Sequence, residues 1–407
     1  MNVFKIHSDI INEYSEYISS FIDIADERIK GEVEQYFNSH KLWPQPLIHF
    51  NPSYALGDSV SELCNKKIIN QQLENIFSGY SLYRHQADAI KLGVRDKSFI
   101  VTSGTGSGKS LTYIATIFNY LFNDPSQDGI KALIVYPMNA LINSQTEEFN
   151  KYKEIYEAKT KQQFPITYKQ YTGQESKDEK EKIVKDPPDI ILTNYMMLEL
   201  IMTRFGERQL RESLIDKVKF VVFDELHTYR GRQGADVSLL IRRIKSLTRN
   251  NLVFMGTSAT MVSGESYDEQ KSKVAEVASK IFGEPFTTEQ IINETLISGF
   301  PQKNLPTKTE LAEVVSGKDE FKPISEDLFN NPLTLWIEKN CAIDDTKEEV
   351  LRRKPLTQQD IASKLSEFTN VEVNLCEKRI VELLKAVNVY NSNKSKDDPA
   401  ILPFKIH

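Results

Sequence analysis

The sequence has no uninterrupted apolar run of about 18 residues, the length that a membrane-spanning helix needs. Its first 14 residues contain no apolar segment long enough for a secretory signal peptide, so we expect a cytoplasmic protein with no membrane partner. Positive charge is not in excess either, since 51 lysines and arginines against 57 acidic residues give a formal net charge of −6. This balance excludes a generally basic protein, but it leaves room for a local basic groove.

Cysteine is scarce as well. Cys64, Cys341 and Cys376 stand far apart, with no CxxC pair and no nearby histidine pattern. We therefore expect buried or free thiols in a reducing compartment and no metal–thiolate site. The remaining composition, 40% apolar and 27% charged over 407 residues, is typical of a globular protein with two or three domains.

Short apolar segments rich in β-branched residues alternate with helical patterns between residues 80 and 285. Six of these segments have the length of strands, at 98–102, 132–136, 166–171, 189–193, 220–223 and 252–255. Their near-continuous apolar character is typical of parallel strands that helices cover on both faces. The pattern predicts an α/β fold with a doubly wound parallel sheet for residues 80–285.

The regions on either side of this domain have other patterns. Residues 1–79 carry amphipathic helical patterns and form a predicted N-terminal helical element. Residues 286–331 contain several prolines and indicate a linker or crossing segment, and residues 332–407 form a predicted small helical region. Within that region, segments 356–365 and 371–387 resemble two helices joined by a turn. A winged-helix-like module and two packed helices without a DNA role both fit this pair.

The strongest local signal is the twelve-residue segment FIVTSGTGSGKS at 99–110. An apolar strand pattern leads into three glycines, and a helical pattern follows, as in a phosphate-binding loop. The backbone N–H groups of such a loop and the N-terminus of the next helix surround a phosphate chain. We expect Lys109 to reach the β- and γ-phosphates and the Ser110 hydroxyl to bind Mg²⁺. The predicted nucleotide-binding residues of the loop are Gly104, Thr105, Gly106, Ser107, Gly108, Lys109 and Ser110.

A second signal is the segment FVVFDELH at 220–227, an apolar strand pattern that ends in two acids. Asp224 at the strand end is suited to hold Mg²⁺ beside the Ser110 hydroxyl. Glu225 is placed to orient and polarise an attacking water. Lys109, Asp224 and Glu225 are therefore the predicted catalytic residues, and Ser110 and Asp224 are the predicted metal ligands.

In their order along the chain, these motifs resemble the first motor domain of superfamily 2 helicases of the DExH type. The resemblance implies a RecA-like fold of the P-loop NTPase class, with ATP and Mg²⁺ as cofactors. The segment LYRHQADAI at 82–90 resembles the adenine-reading motif of the family, in which Gln86 would hydrogen-bond the base edge. The segment YPMNALINSQ at 136–145 resembles the first strand-contacting motif, in which Asn139 and backbone N–H groups would meet phosphates.

Further family motifs follow in order along the chain. Thr172-Gly173 and Thr193-Asn194 resemble two motifs that track the sugar–phosphate backbone of one nucleic-acid strand. Two arginines follow the acidic motif on a predicted exposed loop, where DNA phosphates, a partner domain and solvent are open alternatives. The predicted nucleic-acid-binding residues are Asn139, Thr172, Gly173, Thr193, Asn194, Arg230 and Arg232.

The segment TSAT at 257–260 resembles the SAT motif of these helicases. In the family, its hydroxyl groups bond back towards the acidic motif and couple the ATP site to the nucleic-acid face. The resemblance therefore implies coupling roles for His227, Ser258 and Thr260. A plain helix N-cap is the alternative role for the two hydroxyls.

The segment DELHTYRGRQGADVSLLIRR at 224–243 looks most like the bacterial YprA-like helicases, a group with RecQ-like motors. Similar large helicases occur in phage-defence gene clusters. Such helicases need a second motor domain that supplies arginine fingers, and no second alternating α/β block follows residue 260. We therefore expect an N-terminal fragment that lacks the second motor domain and the C-terminal domains, and that hydrolyses ATP poorly by itself.

Together these features predict an ATP-dependent helicase or translocase that acts on DNA, with RNA not excluded. Antiviral defence and DNA repair are both open as pathways, and defence-system proteins are possible partners. The first alternative is a regulatory module that binds nucleic acid and uses nucleotide as a switch without unwinding. A small-molecule kinase or transport ATPase is the second alternative, and the DELH and SAT motifs together argue against it.

Overall fold

The computed structural model describes residues 3–21, 24–38, 46–104, 106–124, 129–259, 267–300, 304–346, 349–395, 398 and 400–406. The chain divides into a larger unit, residues 54–295, and a smaller unit that joins residues 1–53 to residues 296–407. The predicted domain borders at 79/80 and 285/286 both lie inside the larger unit. Among the described residues, no helix has the length and apolar character needed to cross a membrane.

A seven-stranded sheet forms the centre of the larger unit. In chain order its strands are β1 (Phe99–Thr102), β2 (Ala132–Tyr136), β3 (Tyr168–Tyr171), β4 (Ile190–Asn194), β5 (Phe220–Phe223), β6 (Val253–Ser258) and β7 (Ile291–Asn293). Their order across the sheet is β3-β4-β2-β5-β6-β1-β7, and every neighbouring pair is parallel. The predicted doubly wound parallel sheet is confirmed, and β7 is a strand that the sequence patterns did not indicate.

Helices cover both faces of this sheet. They are α1 (Val60–Asn65), α2 (Leu73–Phe77), α3 (Arg84–Gly93), α4 (Ser110–Asn123), α5 (Asn139–Thr160), α6 (Lys177–Lys185), α7 (Tyr195–Thr203), α8 (Arg208–Lys217), α9 (Gly231–Leu247) and α10 (Tyr267–Phe282). Alternate residues of one strand enter different cores, since Phe99 and Val101 pack into one apolar cluster and Ile100 into the other. All residues of β1, β2 and β5 are buried, which explains their continuous apolar sequences.

The parallel arrangement decides where a site can form. All seven strands end at the same edge of the sheet, here called the carboxyl edge, and the loops that follow them meet there. The glycine-rich loop follows β1, the acid pair follows β5, and the TSAT segment begins within β6. Since β6 lies between β5 and β1, one strand separates the acid pair from the loop, or roughly 10 Å between strand axes.

The smaller unit has its own apolar core. Its helices are Val3–Ser19, Glu27–Asn38, Lys308–Ser316, Ser325–Asn330, Pro332–Ile337, Gln358–Thr369 and Val373–Asn393. The predicted helix pair is present in the last two of these. A three-stranded antiparallel sheet places Leu47–Phe50 between Leu356–Thr357 and Phe404–Ile406, so that the N-terminal segment shares a sheet with the end of the chain. A short antiparallel pair joins Ile343–Asp344 to Leu351–Arg352.

A buried ion pair fixes the opposite edge of the large sheet. Lys131 and Asp189 precede β2 and β4 and are 2% and 3% exposed, with Nζ and Oδ1 3.7 Å apart. The Asp189 carboxylate also accepts hydrogen bonds from the backbone N–H and the hydroxyl of Thr167, at 2.8 and 2.7 Å. Both charges are thus removed from water, and each depends on its partners for compensation.

Replacing Lys131 with methionine should lower the free energy of unfolding by about 3–5 kcal/mol, because the Asp189 charge would lose a buried partner. The double variant K131M/D189N should lose less than the sum of the two single changes, as measured by urea unfolding. The control K151M removes an exposed partner of Glu148 and should cost about 1 kcal/mol or less. Additive effects of K131M and D189N would contradict a buried, coupled pair.

Candidate functional site

The glycine-rich loop connects β1 directly to α4. Gly106 and Gly108 have φ angles of +84° and +69°, which side chains other than glycine rarely adopt. The Lys109 side chain is 8% exposed, and its Nζ donates to the carbonyls of Ser103 and Gly104 at 3.0 and 3.3 Å. The ammonium group is therefore held inside the loop, in the position where an anionic phosphate would bind. Thr105, a predicted nucleotide-binding residue, lies outside the described residues.

The Gln86 side chain on α3 hydrogen-bonds to the backbone of the same loop. Its Nε2 donates to the carbonyls of Ser107 and Gly108 at 3.1 and 3.0 Å, and its Oε1 accepts from the backbone N–H of Tyr83 at 2.9 Å. All these partners belong to the chain itself. Both Nε2 hydrogens are in use, so an acceptor atom of adenine would have to displace one of them, whereas Oε1 can accept a second hydrogen bond. The adenine contact of Gln86 stays a prediction.

The acid pair is organised by one hydroxyl from the neighbouring strand β6. The Thr257 hydroxyl accepts a hydrogen bond from the backbone N–H of Glu225 at 3.0 Å and donates to Asp224 Oδ1 at 2.5 Å. Glu225 has a φ of +50°, so the chain turns sharply between the two acids. Burial raises the pKa of Asp224 to about 6, although the Thr257 hydrogen bond opposes this rise.

This corner suits a magnesium ion. The Thr257 hydroxyl bonds one carboxylate oxygen of Asp224, and Ser110 opens α4 on the other side of β6. The described part of the chain has no group of three or more His, Cys, Asp or Glu side chains that could hold a metal. Mg²⁺ fits such a site, because it takes one or two protein oxygens and fills its other positions with water and phosphate.

The TSAT segment also contacts His227. The backbone N–H of Ala259 donates to His227 Nδ1 at 3.2 Å. Burial lowers the pKa of His227, so the neutral ring accepts this hydrogen bond, and the nearby Glu225 carboxylate is not paired with a charged imidazole. The predicted coupling residue Ser258 is buried and donates to the carbonyl of Ala259, 3.1 Å away. Thr260, the other predicted coupling hydroxyl, lies outside the described residues.

Sequence reasoning missed a carboxylate beside the phosphate loop. Glu294 follows β7, is 3% exposed, and accepts a hydrogen bond from the backbone N–H of Gly104 at 2.7 Å. Its own N–H donates to the carbonyl of Thr102 at 3.0 Å, and the Thr102 hydroxyl donates to the Asn293 side chain. The local sequence IINETLI gave no sign of this role, because β7 is three residues long and polar residues follow it.

The predicted nucleic-acid residues lie in four different settings. Asn139 and Asn194 meet at the carboxyl edge, where Asn194 Nδ2 donates to Asn139 Oδ1 at 2.8 Å. Thr193 is fully buried, and its hydroxyl donates to the carbonyl of Tyr171 at 2.6 Å, so this side chain supports the sheet. Arg230 and Arg232 are exposed at the start of α9.

The Glu175 carboxylate accepts hydrogen bonds from the backbone N–H groups of the Thr172-Gly173 loop. Glu175 accepts from the N–H of Thr172 at 2.9 Å, from its hydroxyl at 2.7 Å and from the N–H of Gly173 at 2.8 Å. Burial raises the pKa of Glu175, but these hydrogen bonds outweigh burial and lower it overall. A phosphate that used these N–H groups would have to displace the carboxylate.

The two positive-φ glycines differ in one respect that can be tested. A Cβ on Gly108 would lie 2.5 Å from Gln86 Nε2, whereas a Cβ on Gly106 would meet nothing within 4 Å. Both alanine variants carry the backbone cost of a left-handed residue, about 1–2 kcal/mol. In urea unfolding, the free energy of unfolding of G108A should fall by roughly 1–3 kcal/mol more than that of G106A, because the buried Gln86 amide would lose its partners. Equal losses in the two variants would mean that Gln86 does not secure the loop.

The raised pKa of Asp224 predicts a pH-dependent stability. The folded chain holds this proton more tightly than the unfolded chain, so the stabilisation is complete below the usual pKa of 3.8 and is lost as pH rises through about 6. D224N should therefore be more stable than the wild type at pH 8 by up to about 3 kcal/mol in magnesium-free urea unfolding, and the gain should shrink at pH 5. The exposed control D236N should give no such pH dependence. A gain that is equal at both pH values would contradict the burial of the charge.

Comparison with known proteins adds an independent line of evidence. The model of the DEAD/DEAH box helicase family matches residues 83–269. The chain is 29% identical over 224 residues to the ATP-dependent helicase MJ1574 of Methanocaldococcus jannaschii, covering 53% of the chain and 31% of the relative. It is 26% identical to the ATP-dependent helicase YprA of Bacillus subtilis, covering 81% and 37%, and 23% identical to Druantia protein DruE of Escherichia coli, covering 96% and 27%.

Among solved structures, a crystal structure of the DUF1998 helicase MrfA bound to DNA is similar, with a TM-score of 0.47 and 22% identity over 64% of this chain and 34% of that one. The matches to the three curated relatives span between 27% and 37% of their lengths. The family match begins just before Gln86 and runs through the phosphate loop, the acid pair and the TSAT segment. Residues 83–269 therefore match the DEAD/DEAH box helicase domain.

Proposed function

We propose that the chain is the nucleotide-binding motor part of an ATP-dependent helicase or translocase that acts on DNA. The observation that carries the proposal is the Thr257 hydroxyl, which holds both acids of the DELH motif on the strand next to the phosphate loop. A site that only bound phosphate would need the loop alone. The acid pair, fixed at a distance of one strand from the loop, adds the means to hydrolyse the nucleotide.

Each group in this site has a role in the proposed reaction. Lys109 and the loop N–H groups bind and orient the phosphate chain of ATP. Ser110 and Asp224 would hold Mg²⁺, which neutralises phosphate charge when it is bound. Glu225 orients the attacking water and accepts its proton. Gln86 would contact adenine through its side-chain amide.

The link to nucleic acid runs through the TSAT segment. Its Thr257 hydroxyl hydrogen-bonds to Asp224 of the acid pair, and its Ala259 N–H hydrogen-bonds to His227. A change in the charge around Asp224 on nucleotide binding or release would therefore reach Ala259, directly after β6. We propose that this movement alters the grip of Asn139, Asn194 and the Thr172-Gly173 loop on one DNA strand.

Partners and pathway form a further part of the proposal. A second motor domain would supply arginine fingers across the cleft, and their absence can reduce turnover by roughly 10³–10⁵-fold. Alignment of 96% of the chain with Druantia protein DruE supports a role in anti-phage defence alongside partner proteins, with DNA repair as the other pathway. The proposed compartment is the cytoplasm, which fits three buried cysteines that form no disulfide.

Two variants separate nucleotide binding from hydrolysis. K109A should weaken binding of a fluorescent ATP analogue by about tenfold or more, because the loop would lose the buried charge that faces the phosphates. E225Q should bind the analogue within about threefold of the wild type and lose about 10²-fold or more of its DNA-stimulated hydrolysis. Hydrolysis is measured with the second motor domain present.

The matched controls K153A and E154Q change the same residue types at exposed positions of α5 and should behave as wild type. Normal turnover in K109A or E225Q would contradict the assignment. Displacement of a strand from a partial duplex distinguishes a helicase from a nucleotide-switched binding module. ATP hydrolysis that no DNA or RNA stimulates would favour a small-molecule kinase or transport ATPase instead.

A further inference from the structure

Phe205 stands in solvent at a turn between α7 and α8. It is 85% exposed, the largest fraction for any large hydrophobic side chain among the described residues. It opens a single helical turn, Phe205–Glu207, and its sequence neighbours are Arg204 and Gly206. A single exposed hydrophobic side chain is common at a protein surface, so exposure alone assigns no role. What distinguishes Phe205 is the combination of a free aromatic ring, a fixed turn and flanking arginines.

The turn that carries Phe205 is held from two sides. The Tyr171 hydroxyl donates to the Glu207 carboxylate, which ties the turn to the end of β3. The Arg211 guanidinium donates to the carbonyl of Arg204 at 3.2 Å, which ties it to α8. Hydrogen bonds thus fix the backbone on both sides of Phe205, while its ring is exposed to solvent.

The turn lies at the carboxyl edge of the sheet. Tyr171 is the last residue of β3 and precedes the Thr172-Gly173 loop. The following helix α8 has ten residues, rises roughly 15 Å and leads to the start of β5 at the opposite edge, so its first turn lies near the carboxyl edge. α7 packs on the same loop, since a Cβ on Gly173 would be 3.0 Å from the sulfur of Met197.

The charges around the ring favour an anionic ligand. Arg204 and Arg208 flank Phe205 in sequence, and both side chains are exposed. Arg208 pairs with Glu212 at 2.7 Å, but both partners are more than half exposed, so a phosphate can compete for the guanidinium. An exposed aromatic ring between two arginines matches the chemistry of single-stranded nucleic acid, in which bases stack and phosphates pair.

We propose that Phe205 stacks on a base of single-stranded DNA at the carboxyl edge, while Arg204 and Arg208 contact the phosphates on either side of that base. This inference rests on the proposed function and adds a base contact to the backbone contacts predicted at Asn139, Asn194 and Gly173. A stacked base would fix the strand in register without reading its sequence, because every base has an aromatic face.

The test measures binding of fluorescent oligothymidine and of an abasic strand with the same phosphates. F205A should weaken binding of the thymidine strand by roughly 5- to 100-fold and leave binding of the abasic strand unchanged. F205W and F205Y should restore binding, and F205L should not, because stacking requires an aromatic ring. The exposed position of Phe205 makes a folding defect an improbable confounder, and L239A provides a control at another side chain that is 66% exposed.

Four results would overturn the inference. Equal binding of the thymidine strand by F205A and wild type would remove Phe205 from the DNA path and leave the proposed function intact. Full restoration by F205L, or an equal loss on the abasic strand, would replace base stacking with a general apolar contact of the kind a protein partner makes. Failure of the wild-type chain to bind either strand would overturn the inference together with the proposed function.

Discussion

One buried hydroxyl organises the chemistry of this chain. Thr257 on β6 receives the N–H of Glu225 and bonds the carboxylate of Asp224, so both acids take their positions from a neighbouring strand. The same strand separates them from the phosphate loop by a fixed spacing. Because sheet geometry is rigid, the distance between the acids and the loop is set by the fold and does not depend on flexible side chains. The candidate site is thus a property of three adjacent strands.

The proposed nucleic-acid face is built on a different principle. Its backbone N–H groups at Thr172 and Gly173 are already taken by Glu175, and the amides of Asn139 and Asn194 bind each other. These are local, partly buried hydrogen bonds, and exchanging them for bonds to phosphate replaces one hydrogen bond by another, at little net free energy. The candidate nucleotide corner is pre-formed and buried, whereas the groups of the proposed strand-contacting edge already bond to one another.

The sequence allowed much of this to be predicted, for physical reasons. β2 and β5 were predicted to the residue, because both of their faces are buried and their apolar runs are continuous. The pairing of Leu47–Phe50 with a strand at the far end of the chain has no local signature, since the partners are hundreds of residues apart. Gln86 showed the limit for single residues: its amide can serve a base or the loop, and sequence cannot distinguish them. Likewise the TSAT motif indicated a link between the ATP site and the nucleic-acid face. Only the structure identified Thr257 as the residue whose hydroxyl bonds to Asp224 and Glu225.

The hydrogen bond between Gly104 and Glu294 has a consequence for how the protein is made. Its two ends are 190 residues apart, and β7 must pair with β1 to bring them together. At a synthesis rate of about 5–20 residues per second, the phosphate loop leaves the ribosome roughly 10–40 seconds before its carboxylate partner exists. During that interval the loop lacks one of its anchors. Nucleotide binding by the nascent chain should therefore mature late, after a strand that lies beyond the predicted end of the domain has been added.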